Sequence, residues 1–223
     1  MWIRFSILML VTLLNTLLGF FVLKKTKANI AKIYFSLICF ASAMWSGGWA
    51  IASLIREEYI FLIITRIFYI AATAIFLFFF LFSVQFLYKY KVNKILKYII
   101  TISSIYMFYI IISGKLFLGT CKFGGFMYQA ENSLLLLAYG VYFMLILFIS
   151  YYVLFTKYFK SQGVNRKILL WLISGTLMAF IFGIFFAWYM PYINKQHLNW
   201  IGPIASIFMN FSIFYLFFKK EEE

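Results

Sequence analysis

The groups in this sequence that could do chemistry are few, and most of them are cations. Twenty Lys and Arg stand against six Glu, with one His, two Cys and no Asp. Three of the glutamates form the terminal EEE at 221–223, leaving Glu57, Glu58 and Glu131 for the rest of the chain. Acid–base catalysis needs positioned partners, paired aspartates are needed for intramembrane proteolysis or metal-dependent transfer, and proton relays need carboxylates inside helices. A retinal Schiff base would require a Lys in a late helix, and residues 196–218 contain none. His197 stands near Asn199 without a carboxylate or Cys close in sequence to orient it, which suits an interfacial polar residue. Cys39 and Cys121 have no metal-ligand spacing; Cys39 reads as a small buried apolar residue, and Cys121 has no internal partner and could pair only between chains. The expectation is therefore no enzymatic activity, no catalytic residue, no metal site and no cofactor.

What remains could hold a ligand. Trp45 and Trp49 lie one helical turn apart, so two indoles share a face. They can fill a core or form the wall of a pocket. Arg66 can extend its stem to the lipid head groups, or turn inward and bind an anion or carboxylate. Glu131 can pair with Arg66 or favour a helix amino terminus. Arg66, Trp45, Trp49 and Glu131 are the candidate ligand-binding residues.

The elements that must position them follow from where charge is missing. Hydrophobic residues make up 65% of the chain, aromatic residues 24% and charged residues 12%, which no soluble surface accommodates. Seven runs free of Asp, Glu, Lys and Arg occur, at 5–23, 33–55, 67–88, 98–114, 132–156, 168–194 and 196–218. A helix needs roughly 20 residues to cross the hydrocarbon once, so none of these runs is long enough to cross twice. The unbroken apolar character of Ile75–Phe82 excludes barrel strands, which alternate. The fold class is an all-α membrane bundle of seven transmembrane helices, with approximate spans 3–23, 33–55, 60–88, 96–114, 132–156, 168–191 and 198–218. Residues 1–218 form one domain and 219–223 a charged tail.

Fourteen Lys and Arg fall on the side holding segments 24–32, 89–97, 157–167 and the tail, against six on the other side. Cytoplasmic loops carry the excess of cations, so the amino terminus is expected outside and the carboxyl terminus in the cytoplasm. The net charge of +14 is accounted for by orientation and by attraction to anionic head groups, without nucleic acid. Run 5–23 is too long for a signal-peptide core, lacks a cleavage pattern, and should stay as a helix. Trp2, Tyr189, Tyr192 and Trp200 would form one aromatic belt, and Tyr34, Tyr88, Tyr98, Trp171 and Tyr215 the other. Asn15, in mid helix, should bond across helices. Small residues recur every four positions at Gly175, Ala179, Gly183 and Ala187, with a second stripe at Ser42, Ser46 and Ala50 beside Gly47; both are expected helix-packing faces. The glycine-rich connection 115–131 suits a loop over the bundle mouth or an interfacial segment.

FSLICFASAMWSGGWAIAS, TRIFYIAATAIFLFFFLFSVQF, RKILLWLISGTLMAF, MPY and WIGPIASI, in that order, resemble the N-terminal seven-helix region of histidine kinases. Trp45, Arg66, Arg166, Gly175, Pro191, Gly202 and Pro203 carry the resemblance over nearly the whole chain. It implies a sensory module of the bacterial cytoplasmic membrane that passes a signal to an output domain. Here FFKKEEE follows the last helix and no kinase core is present, so a stand-alone member signalling to a separate cytoplasmic or membrane partner is expected, a cut chain being the other possibility. The alternative function is a small transporter or a membrane subunit of a larger complex. Transport would need polar or broken helices at the midplane, and the Gly47–Gly48 pair offers the one candidate break.

Overall fold

Asparagines start three of the helices. The Asn29, Asn93 and Asn132 side-chain oxygens accept hydrogen bonds from the backbone N–H of Ala31, Ile95 and Leu135 at 3.0, 2.9 and 3.3 Å, supplying partners for donors that a helix start leaves open. The structure, a computed structural model, describes residues 2–25, 29–123, 126–190, 193 and 195–219. In chain order these form α1 (Trp2–Lys25), α2 (Ile30–Ala52), α3 (Glu58–Gln85), α4 (Lys94–Ile112), strands β1 (Phe117–Phe123) and β2 (Phe126–Glu131), α5 (Ser133–Lys160) and α6 (Gly163–Ile184). A π-helical turn (Phe185–Tyr189), a 3-10 helix (Gln196–Ile204) and α7 (Ala205–Lys219) complete the chain. Six helices, α1 to α6, are long and apolar enough to cross a membrane. The seventh has 15 α-helical residues, because Pro203 lies in the 3-10 segment before it.

The helices run past the charge-free stretches of the sequence. α5 continues through Lys157 to Lys160, and α6 takes in Arg166 and Lys167. Connection 115–131, expected as a loop over the bundle mouth or an interfacial segment, is an antiparallel hairpin, registered from Phe117↔Glu131 to Phe123↔Phe126 with an irregularity between Phe117 and Gly119. Its base is held on α3 by an edge-to-face contact between Phe117 and Tyr69, centroids 5.1 Å apart. The side chain of Cys121, and with it any pairing, lies outside the described residues. Cys39 is a buried free thiol.

α2 is unbroken through Gly47 and Gly48, so the transport reading loses its candidate hinge. The glycines serve close packing. A Cβ on Gly48 would stand 2.7 Å from Phe68 Cβ, an atom fixed to the α3 backbone that cannot rotate aside, while Gly47 faces Thr12 of α1 at 3.3 Å. Gly48→Ala should therefore push α2 from α3 and cost about 1–3 kcal/mol by overpacking, read as a fall in apparent Tm in detergent. A Tm at or above wild type would show that the helices have slack there.

Buried polar groups join the ends of the chain. Asn15 of α1 donates to Ser206 Oγ at 2.9 Å and accepts from Asn210 Nδ2 of α7 at 2.8 Å. All three residues are buried. Among lipid tails a cross-helix hydrogen bond replaces the missing hydrophobic incentive for association, and this one bears out the expectation for Asn15.

At the lysine-rich end α3 stops where Leu87 turns left-handed, with φ 63°, leaving its last carbonyls without helical partners. Backbone N–H groups of Tyr90 and Tyr88 reach the Val84 and Phe86 carbonyls, and Lys157 of α5, fully buried, adds a charged donor to both. Its Nζ donates to the carbonyls of Val84, Phe86 and Tyr88 at 3.0, 2.7 and 2.6 Å and lies 5.0 Å from the centroid of the Tyr88 ring. A cation among the terminal carbonyls of a helix also meets the negative end of its dipole.

Candidate functional site

Five helices, α2, α3, α5, α6 and α7, with the segment before α7, leave a cavity in the half of the bundle nearer the hairpin. α2 contributes Trp45 and Trp49, one turn apart on the inward face. Trp49 stacks on Phe68 of α3, centroids 4.8 Å apart. Along α3, Phe68, Ala72, Ile75 and Phe76 follow the three-and-four spacing of one helical face, and α5 adds Leu136, Tyr139 and Phe143 at the same spacing. Phe76 and Phe143 stack at 4.1 Å and tie these two walls together. α6 supplies Ala179, Phe180, Gly183 and Ile184, the π-turn adds Ala187, and Asn199, Ser206 and Met209 close the side toward α7.

The cavity holds about 70 Å³ of space open to the centre of a water-sized sphere. At about 10–15 Å³ for each water, that is room for several water molecules or one small organic ring. No charged side chain lines it. The Tyr139 hydroxyl donates to the Tyr69 carbonyl at 3.1 Å and lies 3.1 Å from Thr73 Oγ1. Ser206 Oγ donates to the Pro203 carbonyl at 2.7 Å and accepts from Asn15. Asn199 differs: the residue is only 2% exposed, and no side-chain hydrogen bond joins it to a described residue.

Of the candidate residues, Trp45 and Trp49 meet in this wall. Arg66 does not line it. Its guanidinium lies over Gly114, and Nη1 donates to the Ile112 carbonyl at the end of α4 at 3.4 Å, while Nε is buried with no partner. Glu131 ends β2, opposite Phe117; its side chain lies outside the described residues. In the α6 stripe, Gly175 sits directly against Ser212 of α7, whereas Ala179, Gly183 and Ala187 face the cavity. Ala187 also receives Gly202, where an added Cβ would stand 2.8 Å from the Ala187 Cβ. Asn199, Ser206 and Met209 were not among the sequence candidates. The one available signal was Asn199 itself, an amide inside a run free of charge.

Six membrane-competent helices, four of them lining an aromatic cavity, define a multi-pass membrane protein. The chain belongs to the family described as the N-terminal 7TM region of histidine kinase, which matches residues 7–221, and with that it is a sensory membrane module. No curated protein matches it.

Proposed function

We propose that this chain is a non-enzymatic, receptor-like module of the bacterial cytoplasmic membrane that binds a small ligand inside its bundle and passes a change of helix position to a separate signalling partner. One observation carries the proposal: a family of kinase input regions supplies the chain, and a cavity walled by Trp45 and Trp49 lies inside its helices. In this reading the chain crosses the bilayer seven times. The 3-10 helix and α7 together cover 196–219, about 40 Å at the rises of the two helix types, enough for the last crossing. The amino terminus is outside, and the hairpin, which ends in Glu131 and has Arg66 beside it, forms the rim through which a ligand reaches the two tryptophans.

A ligand acts by binding one bundle arrangement more tightly than another, and a difference of about 1–3 kcal/mol suffices for a useful response. α3 and α5 are the natural carriers. Each lines the cavity in its hairpin half, and the two are joined at the other end by Lys157.

The test combines topology and binding. In a Cys39→Ser, Cys121→Ser background, Leu118→Cys should react with an impermeant maleimide on intact cells, and Ser161→Cys only after lysis. Purified protein in nanodiscs should gain apparent Tm on addition of a bacterial membrane extract. Labelling of Ser161→Cys on intact cells would overturn the orientation; a Tm unmoved by any extract fraction would overturn the receptor reading.

A further inference from the structure

The cavity's chemistry narrows what can occupy it. Its walls are aromatic and aliphatic, and none of its residues carries a charge. A charged ligand there would lose its hydration with no counter-ion to replace it. One group does ask for a partner. The Asn199 residue is buried and no side-chain hydrogen bond joins it to a described residue, yet its amide is not among the fully enclosed unpaired groups and so has space beside it for a partner, to which it offers two donor hydrogens and an acceptor oxygen. The lining is almost wholly apolar, which suits an apolar ring better than a trapped water, since a buried water usually makes about three hydrogen bonds. The Phe185–Tyr189 π-turn runs along the same wall through Ala187, and such turns concentrate at functional sites.

Resting on the reading of this cavity as the ligand site, we infer that the ligand is a small, uncharged, largely apolar ring compound whose single carbonyl or hydroxyl hydrogen-bonds the Asn199 side-chain amide. The ring lies among Trp49, Phe68, Phe76 and Phe143, where stacked or edge contacts hold it. The polar group turns toward α7. Such a molecule dissolves in the bilayer and needs no aqueous channel.

Three probes of equal heavy-atom count separate these requirements: acetophenone, α-methylstyrene, in which =CH2 replaces the carbonyl oxygen, and benzoate, which is charged. Each is titrated calorimetrically into wild type, Asn199→Leu and Asn199→Ala, with Tm verifying the fold of each variant. The ratio of affinities between proteins cancels partitioning of a probe into detergent. Acetophenone should bind wild type about threefold to tenfold more tightly than either variant, the worth of one hydrogen bond. α-Methylstyrene should bind all three proteins alike or favour Asn199→Leu, and benzoate should show no saturable binding. If acetophenone and α-methylstyrene both bind but neither Asn199 variant weakens acetophenone, the ligand class is wrong while the cavity remains a binding site. Benzoate binding as tightly as acetophenone also overturns the class. If no probe binds wild type, the inference falls, and the case for the cavity as a receptor site falls with it.

Discussion

Lys157→Met should lower the apparent Tm of the purified protein by roughly 6–12 °C, corresponding to about 3 kcal/mol in a chain of this size. Two opposing effects set that value. Hydrogen bonds to a charged group are worth about 1.5–3 kcal/mol each, and Lys157 makes three of them, to Val84, Phe86 and Tyr88. Against that stands the several kcal/mol needed to bury an ammonium, which the methionine variant recovers. The variant keeps the length of the side chain but removes the ammonium from three carbonyls at and just beyond the end of α3, of which Val84 and Phe86 keep backbone donors in Tyr90 and Tyr88 while Tyr88 loses its side-chain donor. Geometry adds a sharper test. An ammonium has three N–H bonds directed from one atom, which suits three converging carbonyls, whereas a guanidinium is a planar fork. Lys157→Arg should therefore recover less than half of the lost Tm, although it keeps the charge. A Met variant within about 2 °C of wild type, less than 1 kcal/mol, would mean that the carbonyls find other partners, and an Arg variant equal to wild type would mean that charge alone matters.

Nothing in the sequence distinguished Lys157 from the other cations of segment 157–167. Counted with them, it is one more positive charge on the lysine-rich side; in the structure it is a buried link between α3 and α5. The reason is general to this chain. Absence of charge marks where lipid is, and helices do not stop where lipid does, so α5 carries Lys157 onto its own inward face. The runs themselves were legible because a charge at the bilayer centre is so costly, and six of them are occupied by membrane-competent helices. The last run is divided by Pro203, which lies in the 3-10 segment. The hairpin was hidden because its strands, of seven and six residues, flank a glycine pair that suits a loop equally well. In the cavity, the tryptophan pair could be picked out by its spacing within the small-residue stretch ASAMWSGGWA of α2. The contributions of α3 and α5 could not. With 30 Phe and 17 Tyr in the chain, nearly every helical face is aromatic, and periodicity has no contrast from which to choose the inward one.

Gly183→Leu should abolish ligand binding without loss of stability, and that combination would separate a binding cavity from a packing defect. Gly183 lines the cavity, and a Cβ placed on it would meet no side chain closer than Ala205 Cβ, at 4.0 Å. A leucine there can grow into the vacant space, with no clash of the kind that Phe68 imposes on Gly48. Two effects favour the variant. Replacing Gly in a helix interior removes a penalty of about 0.8–1 kcal/mol, and new contacts across a void restore dispersion that its lining now lacks. Apparent Tm should stay level or rise by a few degrees. The leucine side chain then occupies space that a single ring would use, so both acetophenone and α-methylstyrene should lose saturable binding, a fall of at least a hundredfold in affinity. The thermal response to membrane extract should vanish with it. If Gly183→Leu were as stable as wild type and still responded to the extract, the ligand would have to bind elsewhere, at the rim near Arg66 and the hairpin. A large loss of stability would instead mean that the space exists only to let α6 approach α7, as Gly175 does against Ser212. The two glycines lie eight residues apart on α6, and only the one facing the cavity should couple substitution to response.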